Sequence, residues 1–195
     1  MKFVIATHNN HKVTEFKRIL EPLGIEVVSQ KEAGIDIDVV EDGTTFAENS
    51  RIKAVAVCNA GNCVAIADDS GICIDAFDGG PGVYSARFLG EDTPYTEKNA
   101  IILDRLKDVQ DKDRGARYVC AISCIFPNGD AIYTEGICEG KIGYEPKGSN
   151  GFGYDPIFYI GDTSLAQISD EDKDKISHRG IALRKFVEEL KEYLK

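Results

Sequence analysis

No apolar run in the 195 residues approaches the roughly 18 that a membrane-spanning helix needs, so no membrane partner is expected. The opening stretch Met1-Lys2-Phe3-Val4-Ile5-Ala6 holds one basic residue and too short an apolar run for a secretory leader. It reads as a first strand, and the expected location is cytoplasmic. Basic excess is also missing: the formal net charge is −10, which disfavours a nucleic-acid partner by repelling phosphodiester backbones. A phosphate ligand is still compatible with that charge, because salt screens beyond ~8 Å and a local cluster of Lys, Arg and N–H groups can hold an anion. Among the six cysteines (Cys58, Cys63, Cys73, Cys120, Cys124 and Cys138) there is no C-x-x-C pair. Several lie inside apolar runs, as expected of reduced thiols packed as small hydrophobes. Repeats, low-complexity segments and the G-x-x-x-x-G-K-[ST] phosphate loop are all lacking.

What is present is enough for a core, since 43% of the residues are hydrophobic. Residues 2–6 predict a buried strand, and Val13, Phe16, Ile19 and Leu20 predict a helix from Asn10 to Glu21, ended by Pro22 and Gly24. A second strand is expected over 25–28. Thr45 and Glu48 have capping-box spacing ahead of a helix reaching Ala60. Cys63–Ala67 reads as a short strand and Gly71–Asp75 as another. Thr93-Pro94 reads as a helix start, with Ala100, Leu103 and Leu106 on the buried face. Ala116–Phe126 and Ala131–Cys138 flank Pro127-Asn128-Gly129-Asp130 as a hairpin. The last helix starts near His178 and buries Leu183, Phe186, Val187 and Leu190. This order predicts an α/β fold with a mixed sheet flanked by helices, one domain over 1–195 with two lobes. The irregular loops 77–92 and 147–156 would mark a cleft between the two lobes.

Four segments carry candidate chemistry. Thr7-His8-Asn9-Asn10-His11-Lys12 lies between a strand and a helix, where unpaired amides and the helix dipole favour an anion; the same residues also suit an ordinary N-cap. Asp68-Asp69-Ser70-Gly71 places two adjacent carboxylates after an apolar strand, costly to desolvate without a cation. Hard oxygen donors of this kind suit magnesium, with Glu41 available to complete the set. Adjacent strand residues face opposite ways, so the two carboxylates are not expected to act side by side. In Ser149-Asn150-Gly151-Phe152-Gly153-Tyr154-Asp155-Pro156, two glycines bracket an aromatic suited to stacking on a base. Lys173 to Gly180 sets His178 and Arg179 at a helix N-terminus, where the dipole disfavours cations unless an anionic or carbonyl partner joins them. Lys53 shares a helix face with Asn49.

Taken in order, Thr7-x-Asn9 with Lys12, Phe46-Ala47-Glu48-Asn49, Ala67 to Gly71, Pro81 to Phe88, Gly151 to Pro156 and Ser177 to Gly180 span nearly the whole chain. In these blocks the sequence resembles the inosine triphosphate pyrophosphatases, hydrolases of non-canonical purine nucleotides. The resemblance implies two α/β lobes with the nucleotide in the cleft, a homodimer, Mg2+ as cofactor, and hydrolysis of ITP, dITP and XTP to the monophosphate and pyrophosphate. It implies that Thr7, His8, Asn9, Asn10, His11, Lys12 and Lys53 hold phosphates. Glu41 and Asp69 would hold the metal, with Asp69 also the catalytic proton acceptor and Ser70 touching substrate. Phe152, Gly153, Tyr154 and Asp155 would line the base and sugar pocket, and Lys173, His178 and Arg179 would read the base. The chain departs from the family at His8, where glycine is frequent, and at Gln167, where glutamate is common. A non-catalytic nucleotide sensor and a pyrophosphatase for modified pyrimidine nucleotides are the competing readings.

Overall fold

The structure, a computed structural model, describes residues 2–195. Seven strands form one mixed sheet in the order β2-β1-β3-β4-β5-β6-β7. They are β1 (Lys2–Ile5), β2 (Glu26–Ser29), β3 (Ala65–Ile74), β4 (Gly115–Ile125), β5 (Ala131–Ile142), β6 (Phe158–Ile160) and β7 (Thr163–Ser164). The helices are α1 (Asn10–Leu20), α2 (Phe46–Gly61), α3 (Tyr95–Arg105), α4 (Asp170–Ile176) and α5 (His178–Tyr193). β1 runs parallel to both β2 and β3, whereas β5, β6 and β7 pair antiparallel in turn. The α/β class and mixed sheet are thus as the sequence indicates. Among the described residues, no helix is long and apolar enough to cross a membrane.

The chain divides into two compact units, each with its own core: Met1–Asp69, Cys120–Gly136 and Arg179–Lys195 in the first, Ser70–Val119 and Ile137–His178 in the second. In the first unit, strand alternation sorts side chains onto two faces. Phe3, Ile5 and Ile66 pack with Phe16 and Leu20 of α1 and with Leu183, Phe186 and Leu190 of α5. Val4, Ala6, Ala65 and Ala67 pack instead with Ala54, Val57 and Cys58 of α2. Helices α1 and α2 therefore lie on opposite faces of β1, and the strand order reverses between β1 and β3. In open α/β sheets, ligands favour such a switch point at the carboxyl ends of the parallel strands. The segment 6–12 leaves the sheet there, while residues 67–69 continue within β3. The core of the second unit is built from Ile72 and Ile74 of β3, Ile102 and Leu106 from α3 and its end, Tyr118, Ile142, Tyr154 and Phe158.

Local signals account for the helix ends. Thr45 Oγ1 accepts from the Glu48 amide at 3.1 Å, and Glu48 Oε2 accepts from the Thr45 amide at 3.1 Å, so the capping box forms. Asn62, in the left-handed region with φ 44°, closes α2 where a glycine is more usual. Three expectations need correction. The segments expected over Cys63–Ala67 and Gly71–Asp75 merge into one ten-residue strand, β3, from Ala65 to Ile74, because the two aspartates that interrupt the apolar pattern have cationic partners. Thr93 does not cap α3; its hydroxyl donates to Leu89 O at 2.7 Å, and the cap position is Pro94. Ala100 is exposed, the buried face of α3 being Lys98, Asn99 and Ile102.

Candidate functional site

Period-two alternation along β3 separates the paired aspartates. Asp68 follows Ile66 onto the α1/α5 face and is fully buried. Its Oδ2 accepts from Lys12 Nζ at 3.1 Å, from Arg179 Nη2 at 2.8 Å and from Arg179 Nε at 3.2 Å. Arg179 Nη1 also pairs with Glu15 of α1. Desolvation alone would raise the Asp68 carboxyl, but Lys12 and Arg179 outweigh it and hold it well below the usual carboxylate range. Asp68 therefore organises two cations of the site and stays ionised.

Asp69 follows Ala67 onto the α2 face, 8% exposed. Asn49 Nδ2 donates to its Oδ2 at 3.1 Å, and Lys53 Nζ lies 3.7 Å from Oδ1. The same Lys53 Nζ donates to Glu41 Oε2 at 2.8 Å, so one ammonium serves both carboxylates. Asn49 Oδ1 accepts from the Gly43 amide at 2.9 Å, which anchors the acidic loop carrying Glu41. Burial raises the Asp69 carboxyl, Glu41 adds to the rise, and the opposing pull of Lys53, Lys12 and Asn49 does not cancel it. Two hard carboxylates sharing a single ammonium fit a Mg2+ ion, which takes one or two protein carboxylates and fills its remaining positions with water and phosphate oxygens. Among the described residues, no group of three or more His, Cys, Asp or Glu stands ready to hold a metal.

The loop after β1 differs in detail from a bare amide cradle. Asn9 caps α1, its Oδ1 accepting from the His11 amide at 2.9 Å and the Lys12 amide at 3.3 Å. The Asn9 amide donates to Thr7 Oγ1 at 3.2 Å. The ordinary capping role of this asparagine is thus realised, and Lys12 is the member of the loop directed at Asp68. His8, Asn9, Asn10 and His11 are exposed and Thr7 half-buried. His8 lies 3.5 Å from Asp38. The non-glycine residues with positive φ among the described residues are Asn62, Asp78 and Leu89, so the backbone at His8 does not require a glycine.

In the second unit, Asp155 is 2% exposed and joins the glycine loop to α4. Its Oδ2 accepts from Lys173 Nζ at 2.7 Å and from the Phe152 amide at 2.9 Å. Lys173 Nζ also stands 4.8 Å from the centre of the half-buried Phe152 ring. Gly151 has φ 72°, and a Cβ there would meet Asp155 Oδ2, so only glycine lets the carboxylate close on the loop. Asn99 Nδ2 donates to Gly153 O at 3.2 Å. Tyr154 is buried, with its hydroxyl donating to Ser85 O at 2.7 Å and its ring edge-on to Tyr95. His178 is 5% exposed and stacks on Tyr118, centroids 4.5 Å apart and planes 6° apart. Ser70 is half-buried in β3. Gln167, at the family's usual glutamate position, caps a short helical turn by accepting from the Ser164 amide at 3.0 Å.

Glu41, Asp69, Lys53 and Lys12 are therefore gathered in the first unit, and Phe152, Asp155 and Lys173 in the second. Arg179 pairs with Asp68 and Glu15 in the first unit, and its guanidinium is 2% exposed. Glu15 and Tyr118 did not emerge from the sequence. Glu15 pairs with Arg179 from the far end of the chain, a partner that no local spacing signals. Tyr118, inside an apolar strand, carries no signal either.

These features define an α/β protein with a charged site at the switch point of its parallel strands. The chain belongs to the Ham1 family, which it matches over residues 3–189. It is 46% identical over 185 residues to the dITP/XTP pyrophosphatase of Bacillus subtilis (strain 168), covering 94% of this chain and 93% of that one. With the dITP/XTP pyrophosphatase of Desulforamulus reducens it shares 47% over 190 residues, 96% and 94% of the two chains. Among solved structures, the Staphylococcus aureus Ham1 protein superposes with a TM-score of 0.87 at 38% identity, covering 99% of this chain and all of that one. A HAM1 protein from Coxiella burnetii gives 0.88 at 37% identity, with 98% and 99% covered.

Proposed function

We propose that this chain hydrolyses non-canonical purine nucleoside triphosphates, ITP, dITP and XTP, to the nucleoside monophosphate and pyrophosphate in a Mg2+-dependent reaction. The observation that carries the reading is the Glu41–Lys53–Asp69 group at the switch point, with Lys12 fixed by Asp68 beside it. Glu41 and Asp69 hold the metal. When bound, it supplies positive charge to the phosphate oxygens and the departing pyrophosphate. Lys12 and Lys53 grip and neutralise the triphosphate, together with Thr7, His8, Asn9, Asn10 and His11 of the loop. Asp69 takes a proton from a water that attacks the α-phosphorus, and the bond from that phosphorus to the bridging oxygen breaks. Arg179 acts through Asp68, keeping Lys12 in place.

Phe152, Gly153, Tyr154 and Asp155 form the base and sugar end, with Ser70 touching substrate. Lys173 and His178 read the base. A donor aimed at position 6 meets an acceptor in hypoxanthine or xanthine and another donor in adenine. A buried donor left unpaired costs about 1–3 kcal/mol, which favours the oxo bases. The chain works in the cytoplasm, as a homodimer.

The deciding experiment is a nucleotide panel with pyrophosphate detection, run with and without EDTA. Release from dITP, ITP and XTP that EDTA abolishes is expected. Binding without turnover would indicate a sensor, and preference for modified pyrimidine nucleotides would overturn the base assignment. Asp69→Asn should keep the fold and lower kcat by about 10²-fold or more; wild-type turnover in that variant would remove Asp69 from the mechanism.

A further inference from the structure

One buried residue of the second unit touches both halves of the proposed base-reading group and belongs to none of the motifs above. Tyr118, on β4, is 6% exposed. One face of its ring lies parallel to His178 at 4.5 Å, while Phe158 packs against it at 4.7 Å and a 53° tilt. Its hydroxyl donates to Asp155 Oδ1 at 3.5 Å, a long bond. The other oxygen of Asp155 is the one bonded to Lys173 and to the Phe152 amide. Tyr118 therefore connects His178 with the Asp155–Lys173–Phe152 set through a single rigid side chain. Burial, and then the neighbouring Asp155, push its phenol well above its usual range, so it remains a protonated donor.

We propose that Tyr118 is a positioning residue for base recognition: its ring sets the plane of the His178 imidazole, and its hydroxyl helps to hold Asp155. The inference rests on the proposed reading of His178 and Lys173 as base-reading groups. Stacking fixes the plane of an imidazole, so a donor or acceptor on the ring keeps a constant direction at small entropic cost. Removing the ring frees that plane; removing only the hydroxyl does not. The hydroxyl bond is long, so the stack is the larger of the two contributions. The phosphate-side residues Lys12, Lys53 and Asp69 belong to the other unit.

The test separates ring from hydroxyl. With pyrophosphate release as the readout, Tyr118→Phe should keep the ratio of kcat/KM for dITP over dATP within about twofold. Tyr118→Leu should lower that ratio about tenfold or more, mainly through KM for the favoured base, with kcat for dITP little changed. A uniform fall in kcat for every nucleotide, or an unchanged ratio in a folded Tyr118→Leu protein, would overturn the proposal. So would equal losses in the Phe and Leu variants. Should the Leu variant fail to fold, proton NMR of the wild-type chain decides the geometry. The parallel ring must move the His178 carbon-bound protons upfield, assigned by their loss in His178→Gln, and Tyr118→Phe must preserve that shift. Unshifted His178 protons would refute the stack as the orienting contact. A wild-type chain silent on the whole nucleotide panel would sink the catalytic reading instead, leaving the ring-shift measurement to judge Tyr118 separately.

Discussion

Replacing Asp68 by Asn removes one charge, and almost no volume, from a fully buried position. In the native protein two acids, Asp68 and Glu15, face two bases, Lys12 and Arg179, and the set is balanced. The variant leaves an excess positive charge on a guanidinium 2% exposed and an ammonium 14% exposed. Breaking a buried pair from one side costs about 3–5 kcal/mol. For a chain of this size each kcal/mol corresponds to roughly 2–4 °C, so Tm should fall by about 6–20 °C. Asp68→Asn/Lys12→Met restores the balance around Arg179 and Glu15, and should cost about 1 kcal/mol or more less than the sum of the two single variants. The pH dependence follows from the depressed carboxyl. A lowered folded-state pKa contributes stability that is fully present above the unfolded value of about 3.9 and is lost as pH falls below it. The gap between wild type and Asp68→Asn should therefore be full at pH 7 and begin to close only below about pH 4. Calorimetry across that range is the assay. A Tm change under about 3 °C at pH 7, or strictly additive single variants, would refute the reasoning.

Arg114, 1% exposed, donates to Leu106 O, Ile142 O and Gly143 O at 2.6, 2.8 and 2.6 Å, so Arg114→Ala removes three hydrogen bonds to carbonyls of the second unit, of which Leu106 O keeps the Val109 amide at 2.9 Å. It should lower stability by about 3 kcal/mol or more in urea unfolding, with Arg114→Lys recovering little because one ammonium cannot reproduce the fork. For the cysteines, burial pushes the Cys138 thiol up to about 11, and Cys58, Cys120 and Cys124 are likewise buried with raised values. Iodoacetamide at pH 8 should label the native protein first at the half-buried Cys63 and Cys73, with the other four reacting only on unfolding; mass spectrometry reads the order.

The sequence made the α/β frame legible wherever local chemistry and burial agree. The Thr45–Glu48 box, the hairpin around Asn128-Gly129 and the apolar stripe of the last helix are short-range signals that tertiary packing leaves intact. They failed where a distant partner decides the outcome. β3 runs unbroken through Asp68 and Asp69 only because Lys12, Lys53 and Arg179 arrive from three helices. Helix α4 was hidden because its seven residues, Asp170–Ile176, are nearly all charged and lack an apolar stripe, while the Ser169 side chain supplies its cap. In the site, residue types named the chemistry of Glu41, Lys53 and Asp69, and the alternation of β3 predicted that the two aspartates would part. Arg179 was harder to place, since its position beside His178 in sequence says nothing of which buried acid it meets. Tyr118 reads simply as one more strand aromatic.

The neighbouring positions of Asp68 and Asp69 also constrain how the protein can move. A single peptide unit joins them, and their side chains project from opposite faces of one strand. Any rotation of that strand about its own axis swings one carboxylate forward as it draws the other back. One strand thus presents Lys12 and Arg179 with a carboxylate on one face and Lys53 and Asn49 with a second on the other, so a change in its twist alters both sets of contacts together.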